Sequence, residues 1–194
     1  MTRGRFLHLV IMIKNVIVVA LISMNVGAKI LKNNNSEIMR VYISGKIGEE
    51  VLSEATRLKF AQAEKTLQAR GLETFNPTTS GLGRHAESIA KIEGTTFWEE
   101  IIILDLMQMK DCDAIYLLPD WQDSPGALTE FNYAKGAKKK LFFASWKQAS
   151  LYLSELWNAI PREKMPLSEA SELLTKYITE HIDEIWIPMN YTSE

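Results

Sequence analysis

The sequence predicts a three-layer α/β domain of the doubly wound kind, a mainly parallel sheet of four to five strands covered by helices on both faces. Two observations carry that expectation. From residue 39 onward, short runs of strand-forming residues alternate with longer stretches of helical character. The strand runs are apolar at successive positions rather than at every second one, which is how strands buried on both faces read.

The elements follow in order. Val41-Tyr42-Ile43-Ser44 forms a first strand that stops at Gly45. Residues 49–70 form a helix, with Val51, Leu52, Ala55, Leu58 and Leu67 at mostly helical spacing and Gly71 as its stop. Leu72 to Phe75 is a second strand, cut off by Asn76-Pro77. Residues 78–95, with Gly81, Gly83 and Gly94 among Ser and Thr, read as a long loop. Thr96 opens a helix that runs through IIILDLMQM to Lys110, with Glu99 as capping-box partner. Ala114 to Leu118 is a buried strand ended by Pro119-Asp120. Ser124-Pro125-Gly126 opens the next helix, with Ser at the cap and Pro in the first turn, and Leu141 to Ala144 is the next strand. Beyond it, Leu151–Ala159 and Ser168–Ile182 read as helices and Ile185-Trp186-Ile187 as a final edge strand. The order is that of a Rossmann- or flavodoxin-like sheet with a C-terminal helical extension.

Composition divides the chain. Of 194 residues, 22 are Lys or Arg and 24 Asp or Glu, a formal net charge of −2. Residues 1–38 hold five basic residues against Glu37 alone, a net of +4, which leaves 17 basic and 23 acidic residues, a net of −6, in the remainder. Three segments follow: an apolar, basic extension over 1–38, the α/β domain over 39–144, and the helical extension over 145–194. An acidic domain is a poor partner for a nucleic-acid polymer, because it has no excess of Lys and Arg to neutralise phosphates. The single cysteine, Cys112, excludes an internal disulfide and a CxxC metal site, and without a basic neighbour it makes an improbable nucleophile.

The runs FLHLVIMI (6–13) and VIVVALISM (16–24), separated by Lys14-Asn15, fall short of the ~18–20 apolar residues of a membrane span. Basic residues, an apolar stretch and then Val26-Gly27-Ala28 follow the grammar of an export signal. A later start, at Met24 or Met39, accounts for the same stretch equally well. The expected location is cytoplasmic, with a membrane contact or export only if residues 1–38 are a retained, genuine signal.

Ligands of doubly wound sheets bind outside the carboxyl ends of the strands. The polar residues there are Ser44 and Gly45, Asn76, Asp120 and Ser145. The helix opening at Ser124 adds backbone N–H groups suited to an anion, and Gly126 permits close approach. Asp105 falls on a helical face that is otherwise apolar, shared with Trp98, Ile101, Ile102 and Met109, where an unpartnered carboxylate is costly. The alternative is a helix apolar all round, with Asp105 at its solvent edge. Glu130 lies six residues after Ser124, near the start of its helix, where it could face the same cavity, although spacing alone more commonly gives a solvated helix carboxylate. Two carboxylates at one sugar-sized cavity suit nucleophile-plus-acid chemistry at an anomeric carbon. Gly45-Lys46 is not a phosphate loop, because the upstream glycine and the following Ser/Thr are missing. His85 is expected to be exposed, and Lys138-Lys139-Lys140 to be a solvated helix end. No metal or organic cofactor is implied.

Four blocks in order, VYISGKI (41–47), FNP (75–77), LDLMQMKDCDAIYLLPDW (104–121) and SPGALTEFNYA (124–134), resemble the nucleoside 2-deoxyribosyltransferase-like superfamily. The resemblance is closest to a small bacterial and phage branch of undefined activity, and covers about 39–144. It implies cleavage of the N-glycosidic bond of a nucleoside or nucleotide through a covalent glycosyl-enzyme. In that scheme Glu130 is the nucleophile, Tyr42 orients it, and Asp105 contacts the departing base or sugar. Ser124 and Gly126 match positions near the sugar hydroxyl or 5′ group. Ser124 stands where established transferases usually carry Asp, a departure that suits a monophosphate hydrolase or a non-catalytic nucleotide-binding protein. The resemblance also implies a homo-oligomer, for which 145–194, with Trp146, Trp157 and Trp186, is a candidate interface.

Overall fold

The computed structural model describes residues 38–48 and 52–159, together with positions 166, 169, 172, 173, 175, 176, 185, 187 and 189. The expectations for 1–37, for most of 160–184 and for the Trp157 and Trp186 side chains lie outside the described residues. Two compact units are present, Ile30–Ser150 with Glu184–Glu194, and Met1–Lys29 with Leu151–Asp183.

The first unit carries the sheet. Its strands are β1 (Arg40–Ser44), β2 (Glu73–Phe75), β3 (Ala114–Leu117) and β4 (Lys140–Phe143). They pair in parallel in the order β2-β1-β3-β4. That is the flavodoxin-like order, and it places a topological switch between β1 and β3. Beyond β4, the Phe143 N–H donates to the Ile185 carbonyl and the Ile187 N–H to the Phe143 carbonyl, the pattern of a further parallel neighbour at the expected edge.

The connections are α1 (Glu54–Gln68), α2 (Leu82–Glu93), α3 (Phe97–Lys110), a 3-10 turn at Trp121–Asp123, α4 (Pro125–Gly136) and α5 (Trp146–Ala159). The expected caps are present: Thr96 and Glu99 close a full capping box on α3, and the Ser124 hydroxyl accepts from the Ala127 N–H at the start of α4.

Two expectations change. Residues 78–95 are not a long loop, because α2 occupies most of them. Gly81 and Gly94 sit at its two ends with φ of 77° and 71°, the left-handed conformation that glycine adopts without strain. These glycines delimit a helix instead of dissolving one. In the 49–70 stretch the described helix begins at Glu54, capped by Ser53, and its buried stripe includes Thr56, Phe60, Ala63 and Leu67, while Leu58 is 53% exposed. The stripe starts with a threonine and includes an alanine, so counting large apolar residues selects the wrong face.

Side chains alternate across the sheet. Val41 and Ile43 of β1, Ala114 and Tyr116 of β3 and Phe142 of β4 join Phe60, Ala63 and Leu67 of α1 in one apolar cluster. The opposite side of β1 carries Tyr42 and Ser44, and α4 packs against β1, β3 and β4. Among the described residues no helix is long and apolar enough to cross a membrane.

Candidate active site

The two hydroxyls of β1 converge on one carboxylate. Tyr42 and Ser44 stand two residues apart on a strand and so face the same way. On α4, Ala127, Glu130 and Ala134 form the buried stripe at spacings of three and four residues. The inward position flanked by two alanines is therefore a glutamate. The Tyr42 hydroxyl donates to Glu130 Oε1 at 2.9 Å, and Ser44 Oγ donates to Glu130 Oε2 at 2.5 Å. Both carboxylate oxygens are held by groups that span 88 and 86 residues of sequence.

Asp105 joins them from α3, where it and Met109 are the buried residues. Its Oδ1 atom is buried with no hydrogen-bond partner among the described residues. The Tyr42 hydroxyl interacts with Asp105 as well as with Glu130. Burial pushes the Asp105 carboxyl up to about 7, opposed by the Tyr42 hydroxyl. Glu130 is pushed up to about 8 by burial and then by the Asp105 charge, opposed by the Ser44 and Tyr42 hydroxyls. Burial, followed by the Glu130 and Asp105 charges, holds the Tyr42 phenol well above its ordinary value, so it stays a donor. Two carboxylates that cannot comfortably ionise together share a proton near neutrality, which is the charge state of an acid paired with a nucleophile.

Above Asp105 on the same side of α3 lies Trp98, seven residues earlier. Because α3 ends where β3 begins, its first turn lies toward the carboxyl edge of the sheet, and there Trp98 is 61% exposed. The apolar stripe expected from the sequence thus buries Asp105 and Met109 but leaves its first aromatic ring in solvent.

Other residues expected at the site serve the frame. The Asp120 carboxylate accepts from Lys59 Nζ at 2.5 Å and from the Lys46 N–H at 3.3 Å, while Lys59 also donates to the Lys46 carbonyl. This ties the β1–α1 and β3–α4 connections together. Asn76 donates to Glu64 and accepts from the Thr78 N–H and hydroxyl, closing the turn after β2. At Gly45 a Cβ would lie 2.7 Å from Leu118 Cδ1 and 2.9 Å from Leu118 Cβ, so the missing side chain lets two loops touch. At the start of α4, Pro125 has no N–H, the Ala127 N–H is taken by Ser124 Oγ and the Leu128 N–H by the Ser124 carbonyl. The anion site expected there is reduced to the Gly126 N–H. A Cβ on Gly126 would meet only Ser124 Oγ, at 3.7 Å.

Sequence reasoning missed three roles. Ser44 faces Glu130, a partnership that the Tyr-x-Ser spacing on a strand contains. Lys59 is the partner of Asp120. Lys139 is no solvated tail: its ammonium donates to the carbonyls of Lys110 and Cys112 and so closes the end of α3. His85 is exposed as expected. Burial pushes the Cys112 thiol up to about 11, which makes it inert. Among the described residues no group of three His, Cys, Asp or Glu side chains is placed to hold a metal ion.

Fold and site together define a flavodoxin-like parallel α/β domain with a buried, hydroxyl-clamped carboxylate pair beneath the carboxyl end of its central strand. The chain belongs to the DUF4406 family, a domain of unknown function, whose family model matches residues 39–143. No curated protein and no solved structure matches it.

Proposed function

We propose that the protein cleaves the N-glycosidic bond of a nucleoside or nucleotide, with Glu130 as nucleophile and Asp105 as acid. The observation that carries this reading is the clamp on Glu130: a buried carboxylate with one hydroxyl on each oxygen and a second buried carboxylate beside it. The two hydroxyls oppose the effect of burial and favour the ionised form of Glu130 that attack requires. The unpaired Oδ1 of Asp105 is a position for the proton that a departing base requires.

In the first step a Glu130 oxygen bonds to C1′ while the C1′–N bond breaks. Its electron pair leaves with the base, which takes the Asp105 proton. In the second, water adds to C1′, Glu130 departs as carboxylate and Asp105 recovers the proton, so both groups return to their starting state. Transfer differs only in that a second base replaces water. The exposed Trp98 ring offers a face for the base, and the resemblance of the four blocks to deoxyribosyltransferase-like proteins favours this substrate class. A panel of nucleosides and their monophosphates assayed for free base tests the reading. Base release by the native chain, lost in a folded Glu130→Ala variant, is the expected result; unchanged turnover in that variant overturns it.

The cap at Ser124 favours a second reading, a nucleotide-binding protein without chemistry. The resemblance leads to an aspartate at that position, and the serine hydroxyl is instead engaged with the Ala127 N–H. That reading predicts thermal stabilisation by a nucleotide with no base released on prolonged incubation.

A further inference from the structure

The helix that carries Asp105 is apolar on its outer side as well as its inner one. Ile103 and Met107, one turn apart on the face opposite Asp105, are 52% and 59% exposed. A helix apolar all round belongs in an interior, and α3 has an interior on one side only. The outer stripe continues one turn in each direction, to Glu100 at the start and to exposed Lys110 at the end, giving Glu100–Ile103–Met107–Lys110 at helical spacing. Helices α2 and α4 both pack against α3 and leave this outer stripe exposed.

The order of this stripe selects its partner. Read backwards it is base, apolar, apolar, acid, with the same spacings. Laid antiparallel on a second α3, with a two-fold axis at the level of residue 105, it sets Ile103 against Met107 and Glu100 against Lys110, twice over. A parallel arrangement would oppose acid to acid and base to base. Self-complementarity about a two-fold axis is the requirement of an isologous dimer. We infer that the outer face of α3 is the dimer interface of this protein, its occupant being the α3 of a second copy in antiparallel register. This goes beyond the glycosidic reading and stands without it. It also moves the expected oligomer contact from 145–194 to the helix that holds Asp105.

The test is self-association of the full chain by sedimentation velocity, with circular dichroism as the check on folding. The native chain is expected to be a dimer at about 100 μM; a monomer overturns the proposal. Ile103→Glu and Met107→Lys, both on the surface, are expected to weaken the dimer about 30-fold or more. If either folded variant dimerises as tightly as the native chain, α3 is not the interface. Glu100→Lys and Lys110→Glu are each expected to weaken it about tenfold, and the double variant to regain native affinity. A double variant as weak as the singles overturns the antiparallel register.

Discussion

The two faces of β1 are built from alternate residues of one five-residue strand and follow opposite rules. Val41 and Ile43 enter an interior of Phe60, Ala63, Leu67, Tyr116 and Phe142, where the one phenol, Tyr116, donates to the Ile187 carbonyl at 2.7 Å. Tyr42 and Ser44 enter an interior of equal burial that contains two carboxylates held away from their ordinary protonation. The first face satisfies every demand of a stable core. The second gives up stability, since ionising a buried carboxylate is costly and Asp105 lacks a partner on one oxygen. Sites of this kind are where a fold departs from its own rules, and here the departure is confined to one side of the sheet.

That contrast is open to direct attack. The largest effect is expected at Glu130: Glu130→Gln should lower turnover at least about 10³-fold while the fold persists, as seen in the free-base assay and by circular dichroism. On the opposite face, Phe60→Ala should leave the site's groups untouched and lower stability by about 3–5 kcal/mol in urea unfolding. Equal losses of stability in the two variants would break the division between the faces.

The pH dependence sharpens it. The folded values of Asp105 and Glu130, about 7 and about 8, lie above those of the unfolded chain, so the native state binds the protons more tightly. The stabilisation is complete below about pH 4 and is lost as pH rises through 7 to 8. Glu130→Gln removes the part due to that residue. The thermal midpoint of the variant should exceed that of the native protein by several degrees at pH 9 and converge with it at pH 4. Activity that needs one proton on the pair should follow a bell between the two values, measured as kcat/KM against pH.

Smaller effects separate frame from ligand contact. Gly45→Ala should lower stability by about 1–3 kcal/mol, because its Cβ meets Leu118. Gly126→Ala should change stability by less than about 0.5 kcal/mol, its Cβ having room; any rise in KM then reports a ligand at that turn.

How much of this was legible in the sequence follows from the range of each interaction. The capping box at Thr96–Glu99 and the Ser124 cap act within three residues and were readable. Asp105 was readable too, because helical periodicity sets a carboxylate among apolar neighbours. The burial of Glu130 was not, since a glutamate on a short helix looks solvated until β1 lies beneath it. The same limit applies to Lys59 with Asp120 and to Lys139 at the end of α3, partners 61 and 27 residues apart. Helix α2 was missed for a local reason: its bounding glycines carry the usual composition of a loop.

The span of the Glu130 clamp bears on how the molecule comes into being. As the chain leaves the ribosome, β1 emerges early with two hydroxyls on one side, and their acceptor arrives some 86 residues later. Strands β1 and β3 can pair before then, but the carboxylate is desolvated only when α4 closes over them. Docking of α4 is thus a late, charge-burying step, and the same protonation that stabilises the native pair should ease it. Refolding should accelerate as pH falls from 8 toward 5, an acceleration that Glu130→Gln reduces to the part due to Asp105. The clamped pair is then also a checkpoint on assembly: the chain buries its carboxylates only on completing the layer that shields them from water.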